Sequence, residues 1–174
     1  MNKCFFFDRD GIVNVLLDNA YVRKIDEFIF IEEFFEIFKY VKSKNYLAIV
    51  ITNQQGIGKG LMTDDDLQNI HHWMQEEIYK RTNFKFDDIF YCGELDSARS
   101  FRRKPAPGMF YEAIEKWNID TKNSFMLGDS FRDSISSNAA GIKSILIGNF
   151  YQDQADYVFP SLKDFLKVIE KIVS

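Results

Sequence analysis

Short apolar runs alternate along the chain with longer stretches in which apolar residues recur every three or four positions. The runs at 3–7, 46–52, 88–92, 124–127 and 143–147 are mostly apolar on both faces, the pattern of strands in a parallel sheet covered on two sides. Between them, 31–44, 63–81, 107–117 and 131–140 carry helical spacing. In the second of these, Leu67, Ile70, Met74 and Ile78 form one stripe, and Thr63 with Asp66 gives a capping signal at its start. Pro107 suits the first turn of the third. A last strand near 156–159 and a helix over 161–173 complete the series. The alternation predicts a three-layer, doubly wound α/β fold with a mostly parallel sheet.

Composition narrows the picture. A chain of 174 residues that is 46% hydrophobic supports one domain, 1–174, with a sizeable core. Eighteen Phe against three Pro exclude a disordered chain. A formal net charge of −4 gives no global reason to bind nucleic acid or a membrane surface, so neither is expected as a partner, and an anionic ligand must be drawn by a local basic cluster. Cys4 and Cys92 are too few for a disulfide framework, and the N-terminus shows no leader pattern, which predicts a cytoplasmic protein. No apolar run approaches the ~20 residues needed to span a bilayer.

In doubly wound sheets, ligands collect beyond the carboxyl ends of the strands. There the sequence places Asp8-Arg9-Asp10-Gly11 after the first strand and Thr52-Asn53-Gln54-Gln55-Gly56 after the second. Gly128-Asp129-Ser130 follows the fourth, with Asp133 four residues beyond Asp129, and the loop after the third ends in Arg103-Lys104-Pro105. Three carboxylates brought together repel one another, and a divalent cation is the natural way to keep them ionised. Oxygen-only ligands favour Mg²⁺. Asp8 and Asp10, two apart on an extended segment, are expected to face one ligand while Arg9 points elsewhere. Lys104 and the Thr52 hydroxyl could neutralise and hydrogen-bond a phosphate at the same place, an arrangement suited to phosphoryl transfer.

Other features carry plainer readings. The stretch Gly56-Ile57-Gly58-Lys59-Gly60 fits neither nucleotide-binding pattern and reads as a flexible loop, with Lys59 helping to attract phosphate. His71 and His72 are adjacent on a helix and cannot make the i, i+4 pair a metal would use, so they read as helix-surface or packing residues. Cys92 reads as a small buried hydrophobe. Asp133 is either a support behind the metal or a first-turn acid stabilising the helix dipole.

The segments 7–14, 52–60, 103–109 and 127–129 with Asp133 resemble the four ordered motifs of the haloacid dehalogenase superfamily. The resemblance runs over about 3–148 and is nearest to its heptose 1,7-bisphosphate 7-phosphatases. It implies a Rossmann-like fold of that superfamily without a large cap domain. It also implies Asp8 as the nucleophile that becomes an aspartyl-phosphate, and Asp10 as the acid and base that spends part of its time protonated at neutral pH. Mg²⁺ would be held by the carboxylates of Asp8 and Asp129 and the backbone carbonyl of Asp10. Thr52 and Lys104 would hold the phosphate oxygens. Asn53, Gln54, Gln55 and Arg103 would contact substrate, as would the hairpin from Asp18 to Tyr21, where Ala20 replaces the family's usual Gly.

The implied substrate is a small phosphorylated sugar, the 7-phosphate of the heptose bisphosphate used in lipopolysaccharide or other surface-polysaccharide synthesis. Histidinol phosphate and a 3′-phosphorylated polynucleotide end are the alternatives. A phospho-accepting receiver domain is a further one, disfavoured because Arg9 separates the two acids and the third strand ends in Cys92. Many relatives hold a structural zinc through Cys-Xaa-His and Cys-Xaa-Cys. Here Cys92, Glu94, Ser100 and Arg102 stand at those places, so no zinc is expected, and loop 93–102 should be ordered by Glu94 or Asp96 pairing with its arginines. Without a cap the site should be open, its selectivity supplied by loops 18–27 and 93–102. Oligomeric state is left open.

Overall fold

In the computed structural model, which describes residues 1–18 and 20–173, the strands are β1 (Cys4–Phe7), β2 (Leu47–Asn53), β3 (Asp88–Cys92), β4 (Phe125–Gly128), β5 (Lys143–Ile147) and β6 (Tyr157–Phe159). They form one sheet in the order β3-β2-β1-β4-β5-β6, every neighbouring pair parallel. The helices are α1 (Glu32–Ser43), α2 (Asp64–Thr82), α3 (Gly108–Trp117), α4 (Phe131–Ala139), α5 (Leu162–Leu166) and α6 (Ile169–Ile172). β1 reaches β2 through a 3-10 turn and α1, and β2 reaches β3 through α2, with no inserted domain among the described residues. No helix among the described residues is long and apolar enough to cross a membrane.

The consecutive phenylalanines of β1 serve both faces of the sheet, because side chains alternate along a strand. Phe5 and Phe7 join the larger core with Phe34 and Phe38 of α1 and Leu67, Ile70, Met74 and Ile78 of α2. Phe6 faces the opposite layer, its ring 5.2 Å from that of Phe110 on α3, in a second cluster with Ile49, Ile51 and Met126. A central strand buried on both faces therefore reads as a continuous apolar run.

Helices α2, α4 and α5 start at side-chain caps, on Thr63, Ser130 and Ser161. Thr63 and Asp66 close a capping box on α2, and Asn83 ends that helix in the left-handed conformation. The expected helix over 161–173 is instead two short ones. Val168 lies at φ −127°, outside helical geometry, and its N–H bonds to Phe165 rather than continuing the four-residue ladder. A β-branched residue is a weak helix former at such a point, and fully buried Phe165 on one side with Ile169 on the other anchors each piece to the core separately.

Beyond β1 the chain turns at once. The N–H groups of Ile12, Val13 and Asn14 all point to the carbonyl of Arg9, and Val13 and Val15 then pair with Ile31 and Ile29. This short ladder joins the two sides of the connection at its base.

Candidate active site

The strand order reverses between β1 and β4, the switch point at which such sheets open a crevice. Asp8 follows β1 and donates its backbone N–H to Leu127 of β4 at 2.9 Å; Asp129 follows β4 directly. Carboxylate oxygens of Asp8, Asp129 and Asp133 all lie within 4.8 Å of one another. Gly11, at φ +88°, makes that approach possible, since a Cβ there would sit 1.8 Å from Asp129 Oδ2.

One buried cation faces the three acids. Lys104 Nζ lies 2.6 Å from Asp133 Oδ1, 3.0 Å from Asp8 Oδ2 and 2.9 Å from the carbonyl of Ile51. Burial works against its charge, yet Asp133 and Asp8 outweigh this and hold its pKa above the ordinary value. Burial lifts Asp8 well above the usual carboxylate range, with Lys104 opposing and the neighbouring acids adding to the rise. Burial and then repulsion from Asp133 push Asp129 up to about 7. Negative charge is thus in excess at a point lined only by oxygen ligands, and the residues fit a hard divalent cation such as Mg²⁺.

Asp133 is the first-turn acid of α4 and is also bonded to Lys104. Its Oδ2 accepts from the backbone N–H of Ser130 at 3.0 Å, closing the capping box of α4, while its Oδ1 holds Lys104. Asp8 is oriented by two donors, Lys104 and the backbone N–H of Arg9 at 2.8 Å.

Asp10 corrects two expectations. Its carboxylate and that of Asp8 line one cavity, but Arg9 is not turned away: the chain is already turning, and Arg9 folds back so that Nη2 reaches Oδ1 at 2.9 Å and Oδ2 at 3.1 Å. Asn14 Nδ2 adds a bond to Oδ1 at 2.9 Å and Gln54 Nε2 one to Oδ2 at 2.8 Å. Burial alone would raise the pKa of Asp10, but Arg9, Asn14 and Gln54 hold it below the ordinary value. In this state Asp10 is ionised at neutral pH rather than partly protonated.

Behind Arg9 stands a residue that sequence reasoning assigned to packing. His71 of α2 is buried, with Nε2 3.3 Å from Arg9 Nη1 and its ring edge-on to Tyr91 of β3 at 6.1 Å. Burial, then the charge of Arg9, depress its pKa to about 3, so the ring is neutral and Nε2 accepts. A signal was present: His71 lies four residues after Leu67 and three before Met74, on the apolar stripe itself.

The remaining expected residues divide into two groups. Asn53 and Tyr21 line a cavity of about 390 Å³ together with Asp8, Asp10, Asp129 and Lys104. Leu16, Leu17 and Val22 form its apolar side. Asn53 also exchanges two bonds with the backbone of Lys104, at 3.0 and 3.1 Å. Thr52 is buried and its hydroxyl accepts from Gln54 at 2.9 Å, which makes Gln54 a brace between Thr52 and Asp10 rather than part of the cavity wall.

Arg103 is tied up as well. It bonds to Asp96 at 3.2 Å, to the carbonyl of Glu94 at 3.3 Å and to Gln55 Oε1 at 3.0 Å. Loop 93–102 is therefore ordered in part by Asp96 pairing with an arginine. Arg103 borders a smaller neighbouring hollow of about 190 Å³. Asp18 is exposed and lies outside the residues lining the main cavity. Lys59 Nζ sits 5.1 Å above the Tyr21 ring, tying the glycine-rich loop to the loop after β1. Cys92 is buried, its sulfur 3.6 Å from Glu94 Oε2.

A parallel sheet in this order, with clustered acids and one buried lysine at its switch point, defines a hydrolase of the haloacid dehalogenase-like kind. The model of that family matches residues 7–147, and the chain belongs to it. Over 187 residues it is 34% identical to the D-glycero-beta-D-manno-heptose-1,7-bisphosphate 7-phosphatase of Pasteurella multocida, with 100% of both chains covered. It is 33% identical over 171 residues to the D-glycero-alpha-D-manno-heptose-1,7-bisphosphate 7-phosphatase of Campylobacter jejuni, covering 97% of this chain and 96% of that one. The crystal structure of D,D-heptose 1,7-bisphosphate phosphatase from B. bronchiseptica complexed with magnesium and phosphate is similar in fold. Its TM-score is 0.86 at 24% identity, over 97% of this chain and 98% of that one.

Proposed function

We propose that this hydrolase removes the 7-phosphate of D-glycero-D-manno-heptose 1,7-bisphosphate through an aspartyl-phosphate on Asp8, in the cytoplasmic supply of surface-polysaccharide precursors. One observation carries the reading. Asp8 is held by Lys104 at 3.0 Å within a three-carboxylate cluster that opens on a cavity of about 390 Å³. End-to-end similarity to phosphatases named for this substrate supports the choice of sugar.

The donors on Asp8 fix its carboxylate for in-line attack. A bond forms from an Asp8 oxygen to phosphorus as the bond to the sugar O7 breaks, and O7 takes a proton from Asp10. That proton enters with the substrate: a phosphate group with a second pKa of about 6 arrives partly as its monoanion and passes the proton to the resting carboxylate of Asp10. In the second half Asp10, again ionised, takes a proton from the water that attacks phosphorus. The bond to Asp8 then breaks, and the proton on Asp10 passes to the departing phosphate, which leaves as its monoanion and returns Asp10 to its resting carboxylate. Lys104, with the hydroxyl of Thr52, offsets charge on the phosphate oxygens. Mg²⁺, held by Asp8, Asp129 and the backbone carbonyl of Asp10, would supply positive charge against the same oxygens.

The test is phosphate release, with and without Mg²⁺, from the alpha and beta anomers of the heptose bisphosphate, from histidinol phosphate and from a 3′-phosphorylated oligonucleotide. One heptose anomer should give the highest kcat/KM. An equal or higher value for histidinol phosphate or the oligonucleotide overturns the assignment.

A further inference from the structure

We propose that Arg9 and His71 are positioning residues for the acid and base of the reaction: His71 holds the buried guanidinium of Arg9 from behind, and Arg9 in turn fixes the Asp10 carboxylate. The inference rests on the role given to Asp10 above and extends it to α2, an element outside the four motifs.

The geometry is stringent. Arg9 has no exposed surface, and burying a guanidinium is costly unless it is paired and hydrogen-bonded. Its Nη2 reaches both oxygens of Asp10 at 2.9 and 3.1 Å, and Nη1 faces His71 Nε2 at 3.3 Å. Its Nε has no hydrogen-bond partner among the described residues. An unmet buried donor costs stability, and the group this costly guanidinium points to is the carboxylate of Asp10.

The carboxylate of Asp10 receives Arg9 and Asn14 on Oδ1, and Arg9 and Gln54 on Oδ2. These contacts fill the roughly four lone-pair sites a carboxylate offers. To exchange a proton with a leaving oxygen or a water, Asp10 must free one oxygen, and a fixed anchor is then needed on the other. Arg9 is suited to this: it is fully buried, the Phe28 ring centroid lies 5.9 Å from its guanidinium, and His71 Nε2 accepts from its Nη1. His71 is itself held by Tyr91, whose hydroxyl donates to Asp64 at 2.6 Å and accepts from Gln68 at 2.9 Å.

Protonation of the leaving group matters when that group is a sugar alkoxide and matters little when it is p-nitrophenolate. The ratio of kcat/KM on the heptose bisphosphate to kcat/KM on p-nitrophenyl phosphate, which reports the steps up to phosphoryl transfer and not the hydrolysis both substrates share, therefore isolates proton donation by Asp10. Being a ratio, it does not depend on how much of a variant is folded. For His71→Leu, which leaves Nη1 without an acceptor, the ratio should fall by about tenfold or more, within the ~10²–10⁴ that general acid catalysis supplies. His71→Gln, whose amide oxygen can accept from Arg9, should recover most of it. Arg9→Lys, which keeps the charge but loses the fork, should lower it as His71→Leu does. An unchanged ratio in His71→Leu, with Asp10→Asn lowering it strongly, overturns the positioning role alone. An unchanged ratio in Asp10→Asn overturns the role of Asp10 and this inference together.

Discussion

Lys104 Nζ stands 2.6 Å from Asp133 Oδ1, and neither side chain is more than 3% exposed. The lysine is at once the internal counter-ion of a carboxylate cluster and a neighbour of the reactive Asp8. Lys104→Met keeps the side chain's length and removes the charge. It should abolish turnover and cost about 3 kcal/mol in metal-free protein, the usual scale for breaking a buried ion pair. Urea unfolding with and without Mg²⁺ checks this: the deficit should shrink when the ion is added. A variant as stable as the parent without metal would remove Lys104 from the electrostatic account.

Asp8 should carry the phosphoryl group. Acid quenching during turnover, followed by mass spectrometry of the peptide 1–23, should find the adduct on Asp8, and Asp8→Asn should show neither adduct nor turnover. Phosphorylation of Asp10 instead would exchange the roles of the two acids.

Metal dependence should come with a particular pH signature. In the metal-free protein Asp129 has a pKa of about 7 against an ordinary 3.8, so between those values the folded state binds the extra proton. The associated stability is present at low pH and lost as pH rises through about 7. His71, depressed to about 3 from 6.5, acts oppositely, adding stability as pH rises to 6.5, and is silent above. Between about pH 6.5 and about pH 8 the Tm of EDTA-treated protein should therefore fall. Mg²⁺ should raise Tm more at the upper end, and EDTA should abolish activity throughout. A metal-free Tm that climbs over this interval contradicts the clustered-acid picture.

Gly11→Ala tests the cluster sterically. The added methyl would lie 1.8 Å from Asp129 Oδ2 on a backbone at φ +88°, a conformation costing an alanine roughly 1–2 kcal/mol. Titration with Mg²⁺, followed by Tm, should show an affinity lowered by tenfold or more, with the far-ultraviolet circular dichroism unchanged. Unaltered affinity would mean that Asp129 is not a ligand.

Much of this was legible in the chain. Continuous apolar strands, each ending in a polar motif, give both the sheet and the meeting of Asp8, Asp129 and Lys104 at one edge, because parallel topology sends all carboxyl ends the same way. The side of the site formed by Arg9 and His71 was not legible. Alternation along an extended segment aims Arg9 away from Asp10, whereas the turn begun at Arg9 itself brings the guanidinium inward. His71 lies 62 positions away, and no local pattern links it to Arg9. Gln54 and Arg103 were drawn toward substrate by their motifs, yet each is occupied bracing another residue. The final helix failed for want of any cue to the separate anchoring of Phe165 and Ile169.

Asp133 begins α4 with one oxygen and grips Lys104 with the other. Thermal fraying of that single helical turn would release the lysine while the sheet was still intact. Heat should accordingly silence the enzyme some degrees before the molecule melts, and a residue that only strengthened the start of α4 would extend its working temperature without touching the chemistry.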